Sequence, residues 1–315
     1  MGIFGSDYES AGVGIPKNAP KKKGVFRFFE LLFRKFWKLI QVNMLYSVFF
    51  IPILLAGYAF LRVSNSKIAA IIIIICLCAF AAVFGPATAG MMKILRNYTL
   101  ERHSFILTDF KEAFSKNYKK SFILGLLDLI IAVSIGSAVY VYPKLSEAYG
   151  NQLLMIPFII SISIALVVIM MNYYAFLMIV ATDISFKNII KNSLALACVA
   201  LKKNLITLLS TSVIIAIFII LILINLNFIL FLPFVPASIL AFIICFNSYP
   251  IIQKYVINPF YEQRGEINPE LIISENDNEV LFEDKGGKEK PIEKKKKNNI
   301  LDFYKIPLQY NKNML

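Results

Sequence analysis

The chain has 315 residues, 58% of them hydrophobic and 14% aromatic, with a mean hydropathy of +0.67, against about 45–50% apolar in an ordinary soluble domain. A water-surrounded core cannot absorb that excess, and charge-free stretches of roughly 20 residues recur, the length that crosses a hydrocarbon slab about 30 Å thick. The net charge of +13 is explained by membrane topology, as the loop charges below show, and not by nucleic-acid binding.

Residues 1–24 form a polar amino-terminal extension. No secretory signal is expected, because the first apolar run begins only near Leu39, after a basic stretch. Val25 to Lys38 reads VFRFFELLFRKFWK: Phe26, Phe29, Phe33, Phe36 and Trp37 recur at helical spacing, with Arg27, Arg34, Lys35 and Lys38 largely opposite. That pattern predicts a basic amphipathic helix lying in the headgroup plane before the chain turns inward. Its simpler alternative is an extension of the first span.

Six spans follow, at Leu39–Leu61, Ile68–Met91, Phe122–Tyr142, Leu153–Ala181, Leu205–Leu230 and Leu232–Val256. The last two share one long apolar stretch, in which Asn225, Asn227, Pro233 and Pro236 predict a tight hairpin. The predicted fold is therefore all-α, a polytopic helical bundle whose membrane domain covers 25–261. Between the spans lie two amphipathic helices at 108–120 and 186–200, each expected to end in a Lys-Lys pair at the membrane surface, Lys119-Lys120 and Lys202-Lys203. Their likeness suggests a weak parallel repeat or convergence on similar start signals. Residues 262–315 read as a mostly disordered basic tail, rich in charge and poor in aromatics, with Lys294–Lys297 able to meet anionic lipid.

Orientation follows from the loops, since Lys and Arg are retained on the cytoplasmic side. With both termini inside, 30 of the 33 basic residues fall in cytoplasmic segments, and only Arg62, Lys67 and Lys144 fall outside. The expected location is the cell (inner) membrane, crossed several times, with the lipid bilayer as the first partner and no nucleic acid.

No residue set points to catalysis. The single histidine, His103, stands beside Glu101 and Arg102 without a second imidazole or a nucleophile at motif spacing, and no glycine loop matches a nucleotide fingerprint. Cys76 and Cys78 lack a matching pair, so neither a metal site nor a disulfide framework is expected. The chain is read as a non-enzyme without a cofactor.

Two membrane features invite function. Asp128 lies about 12 Å along its helix from Lys120, a depth at which an ionisable group marks a polar pathway or an internal pair. Asn43, Asn172 and Asn247 are candidate partners for it, and Asn172 with Tyr173 and Tyr174 forms a second polar cluster. The second span ends in Gly85-Pro86-Ala87-Thr88-Ala89-Gly90. Pro86 removes the amide bond back to Ala82, and Gly85 belongs to a row of small residues, so Gly85, Pro86 and Thr88 make a candidate hinge or a site of close packing.

The stretch from Phe28 to Pro52, the Gly-Pro-Ala-Thr-Ala block, and the run through Arg96 to Asp109-Phe110 and Phe114 together resemble the YesL-like family of bacterial membrane proteins. Ala181-Thr182-Asp183 followed by Phe186 to Leu209 looks like that family's second cytoplasmic helix. The resemblance spans roughly Phe28 to Tyr261; the first 24 residues and the tail depart from it. It implies an accessory, regulatory or permease-like part in carbohydrate uptake and brings no catalytic residues. In that reading Asp109, Phe110, Phe114, Asp183 and Phe186 belong to a docking surface for a sugar-uptake transporter complex or its ATPase on the cytoplasmic side. The alternative is an autonomous small-solute transporter or channel using Asp128 and the kinked second span.

Overall fold

A computed structural model describes residues 24–266 and 268–270; the expectations for the polar extension before Gly24 and for the tail beyond 270 lie outside the described residues. The described residues as far as Asn268 fall in one packed unit. Among the described residues there are helices and turns and no strand. Six helical segments are long and apolar enough to cross a bilayer: Val25–Arg62, Ser66–Thr99, Tyr118–Tyr149, Gln152–Ala181, Leu201–Ile224 and Pro236–Glu262. The polytopic all-α bundle and its six spans thus stand as expected.

The first span is made of α1 (Val25–Ser47), a 3-10 turn at Val48–Phe50, and α2 (Ile51–Arg62). The helix expected to end near Lys38 does not end there; it runs unbroken for nine residues more, to Ser47. Nothing between Lys38 and Leu39 interrupts helical hydrogen bonding, whereas Pro52 cannot donate an amide bond back to Val48, and the turn tightens just before it. The apolar residues of α1 also divide between two faces. Leu31, Leu39, Val42 and Tyr46 are buried, while Phe26, Phe33 and Trp37 stay exposed.

Second in order is α3 (Ser66–Thr99), started by Asn65, whose side chain accepts from the amides of Lys67 and Ile68. It ends at a turn in which Glu101 holds a φ of 59°, a conformation with a steric cost for a residue bearing a Cβ. Arg27 and Arg34 reach Glu101 at 3.2 and 2.8 Å and fasten that turn to α1.

A short amphipathic helix, α4 (Ile106–Lys116), leads through Asn117 into α5 (Tyr118–Tyr149). Lys119 and Lys120 therefore sit in the first turn of the next span and do not close the amphipathic helix. The same holds later: α6 (Met155–Ala181) is followed by α7 (Phe186–Val199), and Lys202-Lys203 open α8 (Leu201–Ile224).

The tight hairpin expected after α8 is instead a longer connector over residues 225–235, containing a 3-10 segment at Leu226–Phe231 that Asn225 caps. Then come α9 (Pro236–Ile252), a π-helical turn at Gln253–Ile257 and α10 (Asn258–Glu262). A residue far away in sequence sets where α9 begins. Buried Asn43 of α1 accepts the amide of Ser238 at 2.8 Å and donates to the carbonyl of Leu232 at 3.0 Å, so α1 caps α9.

The core lies toward one end of the bundle. It joins α1, the second half of α3, the second half of α6 and α9. There α3 and α9 run side by side in the same direction: the Cys245 thiol meets the Met92 sulfur at 3.6 Å, and the Arg96 guanidinium lies 4.8 Å from the Tyr249 ring centre. In the sixth span 44% of the most apolar window is buried, against 11–17% in the other five. That span is therefore the interior helix, and the others turn most of their apolar surface outward, as lipid contact requires.

Candidate functional site

Asp128 of α5 is half-buried and accepts a hydrogen bond from the Asn172 side-chain amide of α6 at 2.7 Å. Of the three asparagines proposed as partners, this is the one that reaches it. Asn43 is occupied at α9. The pair bridges two adjacent spans, and an amide–carboxyl bond of this kind inside a bilayer contributes on the order of 1 kcal/mol. Tyr173 does not join it. One residue along a helix turns a side chain by about 100°, and Tyr173 is buried facing Thr211 of α8.

At Gly85 and Pro86 the helix α3 is continuous. A Cβ built on Gly85 would lie 1.9 Å from the backbone oxygen of Ser121, and one on Gly125 would lie 2.6 Å from the Gly85 Cα, so α3 and α5 touch backbone to backbone. Only glycine permits that approach. The carbonyl of Ala82, which loses its amide partner to Pro86, accepts the Tyr118 hydroxyl at 3.2 Å. Thr88 donates back to the carbonyl of Phe84 at 2.9 Å and shares a 3.0 Å hydrogen bond with the buried Tyr46 hydroxyl. Gly85, Pro86 and Thr88 thus form the junction of α1, α3 and α5.

The residues expected to form a docking surface divide. Phe110 is a correction: it is 4% exposed, its ring covers Gly90, and it stacks on Phe49 with a centroid distance of 5.5 Å. It anchors α4 and offers nothing to a partner, because the amphipathic helix spends its apolar face on α3 and on the Val48–Phe50 turn. Phe114 stacks on the same Phe49 at 5.6 Å, and Phe186 packs partly buried against the core. Asp109, in the first turn of α4, accepts the Ser104 hydroxyl and is half-buried. Asp183 alone is open, with 94% of its side chain exposed and Lys116 at 4.0 Å. The exposed apolar residues of the two amphipathic helices are instead Leu107, Leu194 and Val199.

Where the ends of α3, α4 and α6 meet, the structure forms a cavity of about 220 Å³ that the sequence does not announce. The last turns of α3 supply Lys93 and Arg96, the end of α4 supplies Glu112, Lys116 and Asn117, and the end of α6 supplies residues 179–183. Nearby, Lys120 of α5 donates to the carbonyl of Ile184 at 2.9 Å. The signal available in the sequence was the basic run from Lys93 to Lys120, which topology alone explained. Among the described residues no group of three His, Cys, Asp or Glu side chains is placed to hold a metal ion.

No curated protein and no solved structure matches this chain. A family model described as "Protein of unknown function, DUF624" matches residues 39–141. That stretch runs from the middle of α1 through most of α5 and takes in the Gly85–Pro86 junction, α4 and Asp128. That model describes the YesL-like family, and over residues 39–141, about a third of the chain, the sequence is similar to it.

Proposed function

We propose that this protein is a non-enzymatic membrane subunit, lodged in the cell (inner) membrane with both termini in the cytoplasm, that works through its basic end. One observation carries the reading. Packing and polar structure are concentrated at the end bearing Lys93, Arg96, α4 and α7, while the opposite halves of five spans are chiefly lipid-facing apolar helix. The loop charges support placing that end inside. An accessory, regulatory or permease-like role in carbohydrate uptake, with a transport ATPase as cytoplasmic partner, follows from the family resemblance.

The test is coexpression with candidate uptake ATPases, followed by purification. Co-purification that is lost in a Leu107→Ser/Val199→Ser variant of unchanged melting temperature supports the reading; failure to co-purify with every candidate refutes it. A fluorescent protein fused to the carboxyl end, bright inside and dark when exported, checks the orientation.

The Asp128–Asn172 pair favours a second reading, an autonomous carrier with a polar contact among apolar spans. Flux into liposomes holding only this protein separates the two. A subunit is silent there, whereas a proton-coupled carrier is active and falls silent in Asp128→Asn.

A further inference from the structure

We infer that the groove between the middle of α1 and the start of α4 binds an anionic phospholipid, whose phosphate Lys38 holds. The inference needs no partner protein and stands apart from the subunit reading. Lys38, Gln41 and Leu45 follow one another at helical spacing along one face of α1, and residues 104–108 form the opposite wall. The groove has a volume of about 600 Å³, within the range of about 300–1,000 Å³ that small-molecule sites occupy. From Lys38 to Leu45 the helix advances about 10 Å. Over that distance the α1 wall passes from a cation through an amide to an aliphatic side chain, while Phe105 and Leu107 stand exposed on the other wall. A phospholipid presents the same order, from phosphate through ester to acyl chain.

Position and charge both select this occupant. Lys38 is the last basic residue before the apolar run that begins at Leu39, which sets it at headgroup level. Its neighbour Trp37 is 75% exposed, and an exposed indole beside such a boundary is the usual interfacial anchor. No acid lines the groove. Of the acids close by, Glu101 already faces Arg27, Arg34 and Lys35, so its single charge is more than matched. Asp109 accepts the Ser104 hydroxyl. Among the described residues Lys38 has no ion pair or hydrogen bond. One turn earlier Lys35 lies 5.5 Å from the Tyr98 ring centre, a second cation that keeps the mouth of the groove positive. Loop topology accounts for a lysine at the inner end of a span, but not for the groove that it heads. Anionic headgroups supply the charge that this mouth lacks, and the cytoplasmic leaflet is where they concentrate.

The experiment uses the full chain in nanodiscs made of equal parts phosphatidylcholine and phosphatidylglycerol with the same acyl chains. Native mass spectrometry counts the lipids that stay bound when the protein is released. Wild type should retain phosphatidylglycerol in excess. Lys38→Gln should weaken that retention about fivefold, the factor one basic residue near an anionic surface supplies, and leave phosphatidylcholine unchanged. Lys38→Arg should keep the preference. Lys111→Gln removes an exposed cation of α4 outside the groove and should behave as wild type. Lys38 is half-buried, so the melting temperature of Lys38→Gln is checked alongside, and Lys38→Met, which keeps the stem and drops the charge, repeats the test. Equal retention of the two lipids by wild type overturns the inference. So does a loss in Lys38→Gln no larger than that in Lys111→Gln, or displacement of the bound lipid by glycerol 3-phosphate, which would make the groove a site for a free solute.

Discussion

Replacing Gly85 by alanine tests the α3–α5 junction directly. The new methyl would sit 1.9 Å from the Ser121 backbone oxygen and 2.7 Å from its carbonyl carbon, where non-bonded contact needs about 3.5 Å. Neither atom belongs to a flexible side chain, so the helices must separate by roughly 1.5 Å. Overpacking of a well-packed site costs about 1–3 kcal/mol, and a clash with backbone belongs at the upper end, about 3 kcal/mol. Alanine's helix propensity returns about 1 kcal/mol, leaving a net loss near 2 kcal/mol. At about 2–4 °C per kcal/mol for a chain of this size, the melting temperature should fall by roughly 4–8 °C. The assay is the temperature at which half the detergent-solubilised protein still elutes as a monodisperse peak. Gly57→Ala and Gly136→Ala are the controls, since a Cβ at either position meets nothing within 4 Å; they should melt at or slightly above wild type. If Gly85→Ala melts with these controls, the backbone contact is not what holds α3 against α5. Gly125→Ala should reproduce the loss, and the double variant should cost less than the sum, because both methyls open one contact.

Tyr118→Phe should cost about 1 kcal/mol by stripping the Ala82 carbonyl of its hydroxyl donor. In a Pro86→Ala background, where the backbone amide returns, the same change should be close to neutral, and a double-mutant cycle in thermal stability measures the difference. Asn43→Leu removes both bonds that tie α1 to the start of α9. Leaving the buried Ser238 amide without a partner costs about 1–3 kcal/mol, while the more exposed Leu232 carbonyl can turn to other donors. Hydrogen exchange should accelerate at Ser238 and its neighbours, with little change in α5; unchanged exchange there would refute the capping role.

The spans, their number and the polar position at Asp128 were legible in the sequence because each is a local property. A bilayer demands that a segment satisfy its own backbone and present about 20 apolar residues, and a charge within such a segment stands out whatever surrounds it. The loop asymmetry, likewise, is a count. Boundaries that depend on a single strong breaker were legible in principle: Pro52 marks the tightened turn at Val48–Phe50 better than the change from basic to apolar residues at Lys38 does.

Tertiary structure decided the rest, and the reason is the same in each case. Which face of an apolar helix meets protein and which meets lipid cannot be read from hydropathy, since both faces are apolar. Phe110 has the pattern of a displayed residue but fills the space above Gly90, a position known only once α4 folds back on α3. Asn172 rather than Asn43 meets Asp128 because α5 and α6 are neighbours while α1 lies against α9. Lys93, Arg96 and Lys116 look like three topology charges along the chain and become the wall of one cavity only when α3, α4 and α6 converge.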